Sequence, residues 1–111
     1  MRRTLMVGMI LGGGYLVHLR RMDNTQLGSV AVAEEKAKSA ILFRRPTKAF
    51  ADAVASGRTG VLRLRGAIPI EGGVPLVLGE QFVGAIGVSG VTSEQDGQIA
   101  QAGAKAFSAA R

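Results

Sequence analysis

The chain carries a single imidazole, His18, and no cysteine, so metal- or haem-ligand chemistry falls on one side chain. Arg20 follows two residues later, which in an extended strand puts a guanidinium on the same face, able to meet a carboxylate such as a propionate. The same two residues also read as ordinary half-exposed polar positions on a strand. Other constellations are sparse. A Cys-His pair is impossible, and a Ser-His-Asp triad would have to gather Ser29 or Ser89 and Asp23 around His18 with no motif to support it. Glu34 and Glu35 are neighbours on a helix and point about 100° apart. Glu94 and Asp96 suit the positive start of a helix, and such surface acids leave room for an iron or magnesium ion. Gly84, Gly87 and Gly90 repeat at three, but without dinucleotide spacing or a Lys-Ser/Thr pair they read as close packing. Thr92-Ser93 opens a helix whose free N–H groups could hold an anion.

These residues are positioned by alternating short elements. Residues 5–11 and 15–20 are strand-length apolar runs joined by Gly12-Gly13-Gly14, the pattern of a hairpin. Strict alternation puts Tyr15, Val17 and Leu19 on one face of the second strand and Leu16, His18 and Arg20 on the other. From Ser29, taken as the cap, Val30, Ala33, Ala37, Ala40 and Ile41 recur at three and four, and Glu34 can pair with Lys38. This helix should stop near Arg44, because Pro46 disfavours the α conformation before it. A second short helix follows from Pro46, with Phe50 and Val54 inward and Gly57 past its end.

Residues 61–88 read as β throughout, in two hairpins that turn at Gly72-Gly73 and Gly79-Glu80. The last strand, from Phe82 to Val88, is apolar on both faces. It puts Phe82, Gly84, Ile86 and Val88 against the slim set Val83, Ala85 and Gly87, and so should be central with something packed closely on its small side. Thr92 with Gln95 forms a capping box for a final helix striped by Ile99, Ala102, Ala106 and Phe107. Strand runs separated by helices argue for an α+β domain with an antiparallel sheet.

Composition bounds the rest. At 111 residues with 47% apolar and 20% charged content, the chain is expected to form one globular domain, 1–111, with a single core. Lack of cysteine excludes disulfides and sulfur-ligated zinc. Residues 1–66 hold twelve bases against four acids, and residues 67–111 two against four. The bases come largely in pairs, Arg2-Arg3, Arg20-Arg21 and Arg44-Arg45, yet Tyr15 and four Phe are too few aromatics for a stacking platform, so no nucleic-acid partner is expected. Arg2-Arg3 before the apolar run imitates a signal peptide. The run breaks at three glycines, lacks a small-x-small site and is far below the ~20 residues of a membrane span, so it reads as strand in a cytoplasmic protein with no membrane partner.

Several motifs stand together: Arg21-Met22-Asp23; Lys36-Ala37-Lys38-Ser39-Ala40; Phe43-Arg44-Arg45-Pro46-Thr47; Gly72-Gly73-Val74-Pro75; Gly84-Ala85-Ile86-Gly87-Val88-Ser89-Gly90; and Glu94-Gln95-Asp96. From about Gly13 to its end the sequence resembles the GlcG-like haem-degrading or haem-binding domain family, also the C-terminal part of PduO-type cobalamin adenosyltransferases. The resemblance implies a profilin-like five-stranded antiparallel sheet with helices on both faces, assembled into dimers and up to octamers. It implies haem as ligand, with iron or corrinoid as further options, and no settled catalytic activity. Family members also begin with a helix before the first strand, whereas this sequence starts within that strand, and they carry Asp-x-Gly-Gly where Leu11-Gly12-Gly13-Gly14 stands here. The expected function is therefore haem binding by an oligomer, with His18 as axial ligand and Arg20, Arg44 and Arg45 as anion contacts. The alternative is an accessory protein or enzyme of glycolate, small hydroxy-acid or diol breakdown that binds an anionic metabolite through Arg20, Arg44 or the last helix start.

Overall fold

The computed structural model describes residues 6–11, 15–23 and 25–109, and the glycine turn at 12–14 lies outside them. The strands are β1 (Met6–Leu11), β2 (Leu16–Arg21), β3 (Gly73–Leu78) and β4 (Gln81–Ser89), with helices α1 (Leu27–Phe43), α2 (Thr47–Ala55) and α3 (Ser93–Ala109). The sheet is wholly antiparallel in the order β2-β1-β4-β3. Two layers of helix enclose its middle. Ala37, Ala40 and Ile41 of α1 meet Ala85 on one face, while Ala100 of α3 meets Val74, Leu76, Ile86 and Val88 on the other.

The central place expected for the last strand is found, since β4 lies between β1 and β3. Its small side is also where the backbone of α1 comes closest. A Cβ built on Gly87 would collide with the Ala33 carbonyl oxygen and lie 2.7 Å from the Ala37 amide nitrogen.

Among the described residues four strands form this sheet, where the resemblance implies five. The segment read as strand from Val61 instead forms a short 3-10 turn at Thr59–Arg63 and then an irregular run to Gly72. Two local causes are visible. Pro69 has no N–H to give a ladder, and the Ile68 amide donates to the Ser39 hydroxyl at 3.1 Å instead of to a strand. Gly66, at φ 88°, turns the chain further out of line.

Two bulges change faces that strict alternation assigned. A register shift between Leu76 and Val77 sends Phe82 to the α1 side and Val83 to the α3 side, the reverse of the expected sets. A second, between Met9 and Ile10, moves Leu16 off the face that holds His18 and Arg20.

The helix ends fall close to expectation, with two differences. Gln26 precedes α1 without a capping side chain, and Ser29 is buried in the first turn rather than serving as the cap. Arg44 closes α1 in the left-handed region at φ 54°. The capping box is present, with the Gln95 amide donating to Thr92 Oγ1 at 3.2 Å and the Thr92 amide to Gln95 Oε1 at 3.4 Å. The inward stripe of α3 runs through Asp96, Gly97, Ala100 and Phe107, leaving Ala102 and Ala106 exposed. Glu34 does not pair with Lys38, and the ion pairs among the described residues are Lys36–Asp96 and Lys48–Asp52.

Candidate functional site

Among the described strands the edge strand β2 pairs only with β1, and all six of its residues are exposed. Residues directly opposite in an antiparallel ladder share a face. His18 stands across Met9 from Ile86, and Arg20 across Val7 from Val88. Both therefore project on the α3 side of the sheet, about 7 Å apart along the strand. α3 lies against β3 and β4, and among the described residues no helix packs over β2 at the far edge on this side. Met22, next in the same alternation, reaches the core beneath α3. The candidate ligand thus stands at the rim of an uncovered half-face, with a cation beside it and apolar core beyond.

Arg44 and Arg45 sit elsewhere. The Arg44 guanidinium lies 5.8 Å from the centroid of Phe82, on the α1 side, and lines an open depression of about 290 Å³ with Glu80, Gln81 and Phe82. Arg45 stacks 5.7 Å from the centroid of Phe50 and donates from Nε to the Phe43 carbonyl at 3.0 Å. The structure brings His18 together with Arg20 and Arg44 close to Arg45, but the two sets occupy opposite sides of the sheet. A further open groove of about 370 Å³ runs between α3 and β3, lined by Pro75, Val77, Lys105 and Ser108 among others, and holds none of these four.

One arrangement escaped the reading of the sequence. Lys36, only 1% exposed, extends from α1 to donate to the Val88 carbonyl at 2.9 Å and to Asp96 Oδ2 at 3.0 Å. Asp96 Oδ1 accepts from the Val91 amide at 3.1 Å, so each end of the pair has a backbone partner. Gly72 makes room for it: a Cβ there would lie 2.7 Å from Lys36 Nζ and 2.6 Å from the Val88 oxygen. The available signal was Lys36 itself, a charge placed three residues after Ala33 on the buried stripe of α1. Among the described residues no group of three or more His, Cys, Asp or Glu converges to hold a metal ion.

Known proteins share this fold. A family model described as haem degrading protein HbpS-like matches residues 2–105. The chain belongs to the HbpS-like family. Protein GlcG of Escherichia coli K12 is 44% identical over 77 residues, which cover 69% of this chain and 58% of that protein. The chain therefore spans somewhat over half the length of that curated relative. The crystal structure of Klebsiella pneumoniae ORFY superposes with a TM-score of 0.88 at 32% identity, covering 96% of this chain and 77% of that one. A crystal structure of a PduOC–haem complex gives a TM-score of 0.79 at 27% identity, covering 93% and 78%. The family expected from the motifs is the family found.

Proposed function

We propose that this HbpS-like chain binds haem on the uncovered half-face of its sheet, with His18 as axial ligand and Arg20 holding a propionate. The observation that carries the reading is the placement of the sole imidazole: exposed, on an edge strand, on the same face as a guanidinium and beside an apolar core. The residues present fit the group chemically. An imidazole supplies the nitrogen that haem iron takes, and Arg pairs readily with a carboxylate. Bound haem would supply a redox-active iron centre. A planar ligand on this face has the sheet on one side and water on the other, so a second copy of the chain is the natural cover, and the reading includes a homo-oligomer. Arg44 and Arg45, on the α1 side, would join such a site only from a neighbouring copy. The haem-bound PduOC neighbour supports the ligand class. Titrating the protein with hemin and following the Soret band tests the reading. A saturable shifted band is expected, with its position or affinity changed in His18→Ala. No shifted band removes haem, and an unaltered spectrum in the variant removes His18. Because His18 is exposed, the variant should unfold at the same temperature as the parent.

A second reading rests on Arg44. Fixed over Phe82 beside Gln81, its guanidinium could take the carboxylate of a small hydroxy acid, consistent with an accessory role in glycolate or diol breakdown. Calorimetry with glycolate separates the readings: saturable heat that is lost in Arg44→Ala favours this one.

A further inference from the structure

A strongly basic stretch of the chain extends beyond the Arg44 depression. Between residues 44 and 65 lie Arg44, Arg45, Lys48, Arg58, Arg63 and Arg65 against a single acid, Asp52, giving this stretch five of the six net positive charges of the whole chain. Asp52 is already committed to Lys48, at 2.7 Å, and among the described residues none of the five arginines forms an ion pair, although Glu80 lines the depression beside Arg44. Leucines stand exposed among them: Leu62 at 59%, Leu42 at 57% and Leu64 at 46%. The fold gathers part of this stretch. The 3-10 turn packs on α2, and Leu42 at the end of α1 borders Gly66, where a Cβ would lie 3.3 Å from its methyl group.

We propose that this arginine–leucine face docks on an anionic phospholipid surface. Each component has a use there, since guanidinium groups pair with headgroup phosphates and carboxylates while the leucines enter the boundary between headgroups and acyl chains. Phosphates of a nucleic acid would leave the leucines without a partner, and a second copy of the same face would set five arginines against five. No helix among the described residues is long and apolar enough to cross a membrane, so the contact is with the surface alone. It departs from the expectation of no membrane partner, which rested on the lack of a spanning segment. The contact uses no residue of the His18 face, so it stands or falls apart from the haem reading.

Sedimentation of the full chain with phospholipid vesicles provides the test. The chain should sediment with vesicles of phosphatidylcholine mixed with phosphatidylglycerol and not with phosphatidylcholine alone, with binding falling as salt is raised. Each of Arg58→Ala, Arg63→Ala and Arg65→Ala should weaken binding about fivefold. Leu62→Ser/Leu64→Ser, which keeps every charge, should weaken it about tenfold. All these side chains are exposed, and circular dichroism of each variant should match the parent. No sedimentation with the anionic vesicles overturns the proposal. So does binding indifferent to the leucine pair and equalled by a DNA duplex, which would mark a purely electrostatic surface, or a change of oligomeric state in the leucine variant without lipid binding, which would mark a subunit contact.

Discussion

Lys36→Met is expected to cost about 3–5 kcal/mol, because removing one member of a buried ion pair leaves the other charged and without its partner. Asp96 would keep the Val91 amide but lose its counter-ion, and the Val88 carbonyl would lose a donor. For a domain whose total stability is about 5–15 kcal/mol, that is a large share. Chemical denaturation should show a much lower midpoint with an unchanged slope. Asp96→Leu should behave alike, because it strands the Lys36 ammonium. The double variant should be more stable than the single variants predict together, with a coupling of about 1–3 kcal/mol. Rescue stays incomplete, because the Val88 carbonyl and Val91 amide keep their lost partners. A single variant within about 1 kcal/mol of the parent would show that the pair is not what joins α1 to α3.

Gly87→Val should be comparably severe. The position faces the backbone of α1, where even a methyl group would overlap the Ala33 carbonyl oxygen and press on Ala37, and neither is the end of a flexible side chain that can swing away. The helix has to move off the sheet, opening the contact that Ala37, Ala40 and Ile41 make with Ala85. A loss of about 3 kcal/mol or more is expected, at the upper end for overpacked cores. Thermal unfolding checks it, and Gly87→Ala should fall between the parent and Gly87→Val. Equal melting temperatures for all three would mean that the close approach does not govern packing.

These two contacts explain why the motifs were legible as a signature but not as a site. Lys36, Gly72 and Asp96 come from three separate motifs, yet they meet in one buried contact, with Val88 of a fourth supplying the carbonyl. Periodicity could find the buried stripe of α1, because Ala33, Ala37, Ala40 and Ile41 recur at three and four. It could not foresee that a lysine within that stripe would cross to the other side of the sheet, because that depends on where β4 ends.

The thin face of β4 was readable from Ala85 and Gly87, whereas the facing of Phe82 and Val83 was not, since a bulge reverses alternation and leaves no residue type to mark it. The departure of the segment before Gly72 from strand has a similar origin. Ile68 and Ile70 alternate with Pro69 and Glu71 as a strand would, but Pro69 and the Ser39 hydroxyl remove hydrogen bonds that would enrol the segment in the sheet. For the candidate site, the sequence placed His18 beside Arg20 correctly, since the pair lies beyond the bulge in β2. It gave no means of seeing that Arg44 and Arg45 stand on the other side.

A crystal structure of the protein loaded with hemin, with the iron located by its anomalous scattering, tests the central claim most directly. Iron should lie within bonding distance of an imidazole nitrogen of His18, on the α3 side of the sheet, with Arg20 against a propionate. Iron bound at the Arg44 depression or the α3–β3 groove, with His18 free in solvent, would contradict it.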